Sequence, residues 1–304
     1  MQRRNVCILL VVTAIAVYSI VFTSCSTCSR QQSITVDINN LLPKDSAYVE
    51  MAEKVFYSLP TPIEMSILIK NLGIHYQASL LNDPLKASNY VTHYQMAVNF
   101  GIYVTDLVYA GLFDQTQTML RYKLAIQKLI DGLGMTSAVD NQLLKKLEAN
   151  INNKDEMLQI LAETYASCSS YLDEEDRNFL TVAILVGGWM EGMYIASSLT
   201  NENLVASEPQ IEQLIIDQKL TFGMIWKVME KSSDQPDIAN LKSEMKGLAE
   251  AFDQIQVDQT PGTVTFDEKT QTSVIESMSL SSVDPEAFAA IKQQLQTIRH
   301  NFVK

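Results

Sequence analysis

Two carboxylates stand alone in the two most apolar stretches of the chain and are the residues best placed for chemistry. Glu191 is the only Asp, Glu, Lys, Arg or His in 178–199, and Asp106 is the only one in 98–113. A buried, unpaired carboxylate is costly, so each must be hydrogen-bonded, paired with a cation or protonated. If the two meet, they could perform acid/base catalysis or hold a cationic or polyhydroxylated small ligand.

Polar and aromatic side chains accompany both carboxylates at helical spacing. Asn99, Tyr103 and Asp106 fall within about 60 degrees of one another on a helical wheel. Tyr194 lies three residues after Glu191. A structural interpretation competes, in which these groups form a satisfied polar network that fixes the register of two helices, and we favour it. The candidate ligand pocket comprises Asn99, Tyr103, Asp106, Trp189, Glu191 and Tyr194.

Other catalytic or metal-binding motifs are absent from the sequence, which contains no G-x-S-x-G, H-E-x-x-H, P-loop or G-x-G-x-x-G pattern. The three histidines, His75, His93 and His300, have no second His or Cys at ligand spacing. The acids at 173–176 lack the alternating ligands and central glycine of a calcium-binding EF-hand loop. The sequence therefore predicts no metal site and no cofactor, and it favours a protein that is not an enzyme.

The two apolar stretches that carry the carboxylates predict helices buried on most of their circumference. A membrane span is the alternative for 178–199, since about 20 apolar residues cross a bilayer. Three glycines, two closing serines and four preceding acids favour the buried helix, because spans usually have basic flanks. Gly188 and Gly192, like Ala97 and Gly101, are four residues apart and would let two backbones approach closely. We therefore expect the two helices to pack against each other.

Helix-forming residues and few helix breakers run through the rest of the chain. Eleven Gly and eight Pro are few for 304 residues, and 47% of the residues are hydrophobic, which is enough for a substantial core. Asp83, Asp114 and Asp284 are placed to cap helices, and Gly134 is placed to end one. The sequence predicts an all-α fold, either a multi-helix antiparallel bundle or an irregular α-solenoid, of about nine to ten helices. Alternating side chains at 262–281 indicate a small β-hairpin or, alternatively, an extended loop over the helices.

The chain is acidic, with 23 Lys and Arg against 35 Asp and Glu and a net charge of −12. This balance argues against binding to nucleic acid and against adhesion to anionic lipid head groups. Proteins and small ligands remain as possible partners.

The N-terminus carries the most specific pattern in the sequence. The basic pair at 3–4 precedes an apolar run at 6–22, which ends in the tetrapeptide FTSC at 22–25. This arrangement resembles the lipobox of bacterial lipoproteins, in which the cysteine is lipidated and becomes the new N-terminus. That family prefers Leu and then Ala or Ser at the first two positions, so Phe22 and Thr23 depart from its pattern. An uncleaved N-terminal anchor is the alternative interpretation.

The resemblance implies a signal peptide at 1–24 and lipid on Cys25. The polar stretch that follows shows little pattern and predicts a flexible tether at 25–42, after which we expect a single helical domain at 43–304. It also implies attachment to a membrane through that lipid, in the cell envelope of a Gram-negative bacterium. Ser26 resembles the pattern that is sorted to the outer membrane. No acidic run follows Cys25, and this favours the periplasmic side.

Together with its helical composition, the chain resembles the all-helical envelope lipoproteins of Gram-negative bacteria, a likeness that assigns no site residues. We expect a non-catalytic protein that binds a protein partner or a small ligand, or that acts as a scaffold in the envelope. The alternative is a small-ligand-binding protein or an enzyme that uses Asp106 and Glu191. A solvent-reachable cavity at the carboxylates would favour the alternative, whereas a dry and fully paired contact would favour the first function.

Overall fold

The structure is a computed structural model that describes residues 70, 73–139, 145–146, 149–150, 153–200, 208–259, 263–267, 272–276 and 279–304. All of these residues belong to one compact unit, Leu42–Lys304. The predicted signal peptide, Cys25 and the tether lie outside the described residues, so those predictions stay predictions.

The described part of the chain has an all-α fold, which confirms the predicted fold class. Two short 3₁₀ helices, Ala78–Leu80 and Pro84–Ser88, precede nine α-helices in these residues. The α-helices are α1 (His93–Leu112), α2 (Thr116–Leu133), α3 (Lys154–Glu174), α4 (Phe179–Leu199), α5 (Glu208–Asp217), α6 (Lys219–Lys231), α7 (Pro236–Glu244), α8 (Lys246–Asp253) and α9 (Pro285–Phe302). They form a helical bundle in which α4 is the central element.

Four short strands lie between α8 and α9 in the chain. They are β1 (Gln256–Gln259), β2 (Thr263–Asp267), β3 (Thr272–Glu276) and β4 (Ser279–Ser282). The inner pair, β2 and β3, is antiparallel, with Thr263 opposite Glu276. The outer pair, β1 and β4, is also antiparallel, with Gln256 opposite Ser282. Strand pairing therefore extends beyond both ends of the alternating segment at 262–281.

Three predicted helix ends are confirmed by their hydrogen bonds. The side chain of Asp83 accepts from Leu85 N ahead of the 3₁₀ helix Pro84–Ser88, and the side chain of Asp284 accepts from Glu286 N at the start of α9. Gly134 ends α2 with a φ of 73°, a left-handed conformation that costs glycine little because it has no Cβ. Pro84 and Pro285 each occupy the first helical position after these caps, where a backbone N–H would have no partner within the helix.

The predicted cap at Asp114 is wrong. Asp114 has a φ of 58° and lies after the end of α1, where the N–H of Gln115 donates to Ala110 O at 2.9 Å. This is the six-residue closing turn of a helix C-terminus, and Asp is one of the few residues other than Gly that adopt the left-handed conformation it needs. The residue therefore terminates α1, and α2 has no side-chain cap at its start.

The apolar stretch around Glu191 forms α4, which is covered by α1, α3, α5, α6, α7 and α9. It is the one helix among the described residues that is long and apolar enough to cross a membrane, and 83% of its most apolar window is buried by the rest of the protein. Most of the surface of a helix covered in this way is already in contact with protein, which favours the buried-helix interpretation.

The predicted contact between the two apolar helices is confirmed, since α1 packs against α4 more extensively than any other helix does. Glycines make the approach close. A Cβ on Gly101 would overlap Ile184 O and lie 2.6 Å from Gly188 N, and a Cβ on Gly187 would overlap Val98 O. The backbones of α1 and α4 are therefore in direct contact at this crossing.

Replacing Gly101 tests the close crossing. We expect Gly101→Ala to lower the free energy of unfolding by about 2–3 kcal/mol or more, because the added methyl group forces two packed backbones apart. Gly188→Ala is the matched control on the opposite helix, since its Cβ would meet its nearest neighbours at 3.5 Å, an ordinary van der Waals distance. Urea unfolding of both variants measures the difference, and equal losses would contradict the contact.

Candidate functional site

Asp106 of α1 and Glu191 of α4 meet in the interior of the bundle. Each is 0% exposed. The charge of Glu191 acts on Asp106 and raises its pKa, so the two carboxyl groups are near neighbours in the core. The glycine crossing brings them together, because it removes the side-chain layer that usually separates two helices.

Arg299 of α9 pairs with Glu191 through two hydrogen bonds. Its Nε donates to Glu191 Oε2 at 2.9 Å, and its Nη2 donates to Glu191 Oε1 at 2.8 Å. Nη2 also donates to Leu80 O at 3.1 Å, and the guanidinium lies 4.5 Å from the centre of the Tyr194 ring. A two-pronged pair of this kind is the strongest form of ion pair between side chains, and it uses both oxygens of Glu191.

The charge balance at this cluster requires one proton. Two carboxylates and one guanidinium would leave a net negative charge in a dry interior. Burial, and next the charge of Glu191, raise the pKa of Asp106 well above its ordinary value, although the Arg299 charge and a backbone hydrogen bond from Asn82 act in the opposite direction. Burial by itself would lower the pKa of Arg299, but its hydrogen bonds to Glu191 and the charge of Glu191 raise it overall.

Asp106 is therefore the neutral partner of the pair. Its Oδ2 accepts from Asn82 N at 3.1 Å, and its Oδ1 has no hydrogen-bond partner among the described residues. A proton on Oδ1 turns this atom from an acceptor without a donor into a donor close to the charge of Glu191. With Asp106 neutral, the charges of Glu191 and Arg299 balance each other.

Asn82 connects this cluster to a set of tyrosines. Besides its backbone contact with Asp106, its Nδ2 donates to Tyr90 Oη at 2.9 Å and to Asn99 Oδ1 at 3.3 Å. Its carbonyl oxygen accepts from Tyr122 Oη at 2.8 Å. One asparagine in an irregular segment thus uses its backbone N–H, its carbonyl and its side-chain amide within the core.

The predicted residues Asn99 and Tyr103 also lie in this network. Asn99 Nδ2 donates to Phe302 O at 2.8 Å, which links α1 to the end of α9. Tyr103 Oη donates to Asp83 O at 2.9 Å. Burial raises the pKa of Tyr103 above its ordinary value, so its hydroxyl stays protonated and remains a donor.

Trp189 lies apart from the other predicted pocket residues. Its Nε1 donates to Gln218 Oε1 at 3.3 Å, and its ring is 5.6 Å from that of Phe222 and 6.2 Å from that of Phe252. Glu191 lies two positions after Trp189 on α4, which places their side chains about 200 degrees apart around the helix. The structure thus brings together Asn99, Tyr103, Asp106, Glu191 and, through Arg299, Tyr194.

Arg299 and Asn82 were not predicted from the sequence. Arg299 follows Ile298 directly and lies between Leu295 and Phe302 at spacings of four and three, so it borders the buried stripe of α9. The position of this arginine at the edge of an apolar stripe was the one feature of the sequence that could have indicated a partly buried cation. Asn82 lies in an irregular segment between two 3₁₀ helices, and no periodicity marks it.

A cleft of about 330 Å³ opens elsewhere on the molecule. It is lined by residues that include Tyr94, Asp237, Asn240, Glu244 and Lys304, and by none of the six predicted pocket residues. Burial raises the pKa of Glu244 despite the nearby charge of Lys304. The described residues contain no group of three or more His, Cys, Asp or Glu that could hold a metal ion.

The proton on Asp106 makes stability depend on pH. The unfolded chain releases this proton near pH 3.8, whereas the folded protein keeps it to higher pH. The free energy of unfolding therefore falls as pH rises above about 4, by at most about 1.4 kcal/mol per pH unit from this group. We expect Asp106→Asn, which keeps a neutral donor, to remove this contribution.

The check is urea unfolding of the wild type and of Asp106→Asn across the acidic to neutral range. The wild type should gain stability relative to the variant as the pH is lowered. Asp234→Asn, which alters an exposed acid, is the control. Parallel pH profiles for the wild type and Asp106→Asn would show that Asp106 is ionised in the folded protein.

Glu191→Gln breaks the ion pair with little change in shape. We expect the free energy of unfolding to fall by about 2–3 kcal/mol, because the guanidinium of Arg299, whose side chain is only 12% exposed, loses its counter-charge. Glu230→Gln is the matched control, since Glu230 pairs with Lys242 at 2.9 Å but its side chain is 57% exposed. That variant should lose less than about 1 kcal/mol. Equal losses of unfolding free energy in the two variants would mean that the Glu191–Arg299 pair stabilises the protein no more than the exposed Glu230–Lys242 pair does.

Comparison with models of protein families, with curated proteins and with solved structures found no match to this chain. The roles of these residues therefore follow from their geometry. That geometry describes a buried polar network that joins α1, α4, α9 and the segment around Asn82, in which Asn82 Oδ1 and Asp106 Oδ1 have no hydrogen-bond partner among the described residues.

Proposed function

We propose that this chain is a lipid-anchored cell-envelope protein of the non-catalytic binding or scaffolding type, held by lipid on Cys25 on the periplasmic side of the outer membrane. The lipobox at 22–25 supports the anchor. The observation that carries the non-catalytic part is the closure of the Asp106–Glu191 pair by Arg299.

Chemistry at the two carboxylates would require a substrate to reach them. Both are 0% exposed, and the oxygens of Glu191 are already occupied by the two N–H groups of Arg299. A ligand cation would have to displace a guanidinium whose hydrogen bonds are satisfied in place. The alternative function, a small-ligand-binding protein or an enzyme that uses this pair, is therefore the less favoured one.

Binding of a partner or a small ligand would then use the surface of the domain. The cleft beside Tyr94, Asp237 and Glu244 offers carboxylates, amides and an aromatic ring to solvent. It borders the buried network at Phe302, whose carbonyl accepts from Asn99 Nδ2. A scaffold needs a rigid core and an adaptable surface, and this division of polar groups between interior and surface fits that requirement.

Fatty-acid labelling tests the anchor. We expect the chain expressed in a Gram-negative bacterium to incorporate labelled fatty acid and to fractionate with the outer membrane. Cys25→Ala should abolish incorporation, because Cys25 supplies the thiol to which the lipid is attached. Cys28→Ala is the control and should keep the label. Loss of label only in Cys28→Ala would show that Cys28 carries the lipid instead of Cys25. Absence of label from the wild-type chain would overturn the proposal.

A further inference from the structure

The cleft of about 330 Å³ lies where the start of α1, one face of α7 and the end of α9 meet. Of the ten described residues that line it, Val98 and Phe302 are apolar, and the other eight carry a polar or charged group. Binding sites for small molecules have volumes of about 300–1,000 Å³, so the cleft has room for a ligand at the small end of that range. Its polar lining suits a charged ligand more than an apolar one.

Two acids of α7 stand on one face of that helix and line the cleft. Asp237 and Glu244 are seven residues apart, which is two helical turns or about 10 Å along the axis, and Asn240 lies between them. Neither acid has an ion pair or a hydrogen bond within the part of the chain that the structure describes. Burial raises the pKa of Glu244, so its carboxylate is partly withdrawn from water without a cation in contact. The two acids are therefore free to hold two cationic groups of one ligand.

Tyr94 of α1 lines the cleft beside these acids. Its hydroxyl has no hydrogen-bond partner among the described residues and is not fully enclosed by protein. Burial raises the pKa of this hydroxyl, and the charges of Glu244 and then Asp237 raise it further, so both acids act on one phenol. The ring gives the cleft an apolar wall against which methylene groups can pack.

Cations stand at the other end of the cleft, beyond α9. Lys304 Nζ donates to Asn301 Oδ1 at 2.9 Å, and the charge of Lys304 lowers the pKa of Glu244 against the effect of burial. Lys86 Nζ donates to Val303 O at 2.8 Å and adds a second cation next to the cleft. The charges around the cleft are thus of both signs, with the acids along α7 and the lysines at the end of α9. A simple anion would meet the acids, and a simple polyamine would meet the lysines.

We propose that the cleft binds a free basic amino acid of the lysine type. Its carboxylate pairs with Lys304, its α-ammonium group with Glu244 and its side-chain cation with Asp237, while its methylene groups lie against the ring of Tyr94. Each charge of such a ligand meets a group of opposite sign that has no ion-pair partner among the described residues. This inference deepens the small-ligand part of the proposed function and rests on it, but it does not depend on the lipid anchor.

Equilibrium dialysis of the full chain in detergent micelles against radiolabelled L-lysine tests the ligand class. Two analogues compete in turn: norleucine, which lacks the side-chain ammonium group, and cadaverine, which lacks the carboxylate. We expect saturable binding of L-lysine. Each analogue should compete at least about tenfold less well than unlabelled L-lysine, because it leaves charged groups of the cleft unpaired.

Substitutions in the cleft test the position of each charge. Asp237→Asn should weaken the binding of L-lysine about tenfold and leave that of norleucine unchanged, whereas Lys304→Gln should weaken L-lysine similarly and leave cadaverine unchanged. Asp234→Asn and Lys227→Gln are the matched controls, since both alter exposed charges outside the cleft, and they should bind L-lysine as the wild type does. The comparison of the three ligands on the wild type holds even where a variant fails to fold.

Three results would overturn the inference. The first is the absence of saturable L-lysine binding, and the second is equal competition by L-lysine, norleucine and cadaverine. The third is normal L-lysine binding by both folded cleft variants, which would place the ligand elsewhere on the domain. None of these results bears on the anchor, because fatty-acid labelling at Cys25 tests it separately. Failure of that labelling would likewise leave the dialysis result standing.

Discussion

The charge of Glu191 lies beyond the reach of water, and the arrangement of the domain keeps it paired. Arg299 gives it two hydrogen bonds and has a further N–H for the carbonyl of Leu80. These contacts join the central helix α4 to α9 and to the irregular segment that precedes α1. A buried charge is tolerated only while its partner is in place, so these three segments hold their positions together.

The glycine crossing and the carboxyl pair both result from the close approach of α1 and α4. Gly101 allows the backbones of α1 and α4 to touch, and Asp106, about one and a half turns further on, then meets Glu191. Two neighbouring buried acids repel each other when both are charged, so one of them has to be neutral. The close packing therefore determines the protonation state of Asp106, and the bound proton in turn permits the close packing.

The fold class could be predicted from the sequence because it depends on local signals. The apolar stretches around Asp106 and Glu191, the Asp-Pro starts at 83–84 and 284–285, and Gly134 each act within a few residues. Asp114 shows the limit of such signals, since the same residue type can start one helix or end another. Its left-handed backbone, which depends on how α1 finishes, decided between the two.

The site was predictable only in part, because its residues come from distant parts of the chain. The polar stripe of Asn99, Tyr103 and Asp106 follows from helical periodicity, and all three lie in the network. Nothing in the local sequence of α4 shows that its carboxylate pairs with a residue in α9. Asn82 contributes through its backbone as much as through its side chain, and backbone contacts leave no trace in residue type.

The distance in sequence between the two charged partners has a consequence for how the chain acquires its structure. Glu191 precedes Arg299 by 108 residues, so during synthesis it emerges long before the cation that neutralises it. Until then α4 carries an apolar surface and an uncompensated acid, which can be protonated or solvated but not packed as in the finished bundle. The pair can form only once α9 has been synthesised, so the core of the domain cannot be completed before the last described helix is present.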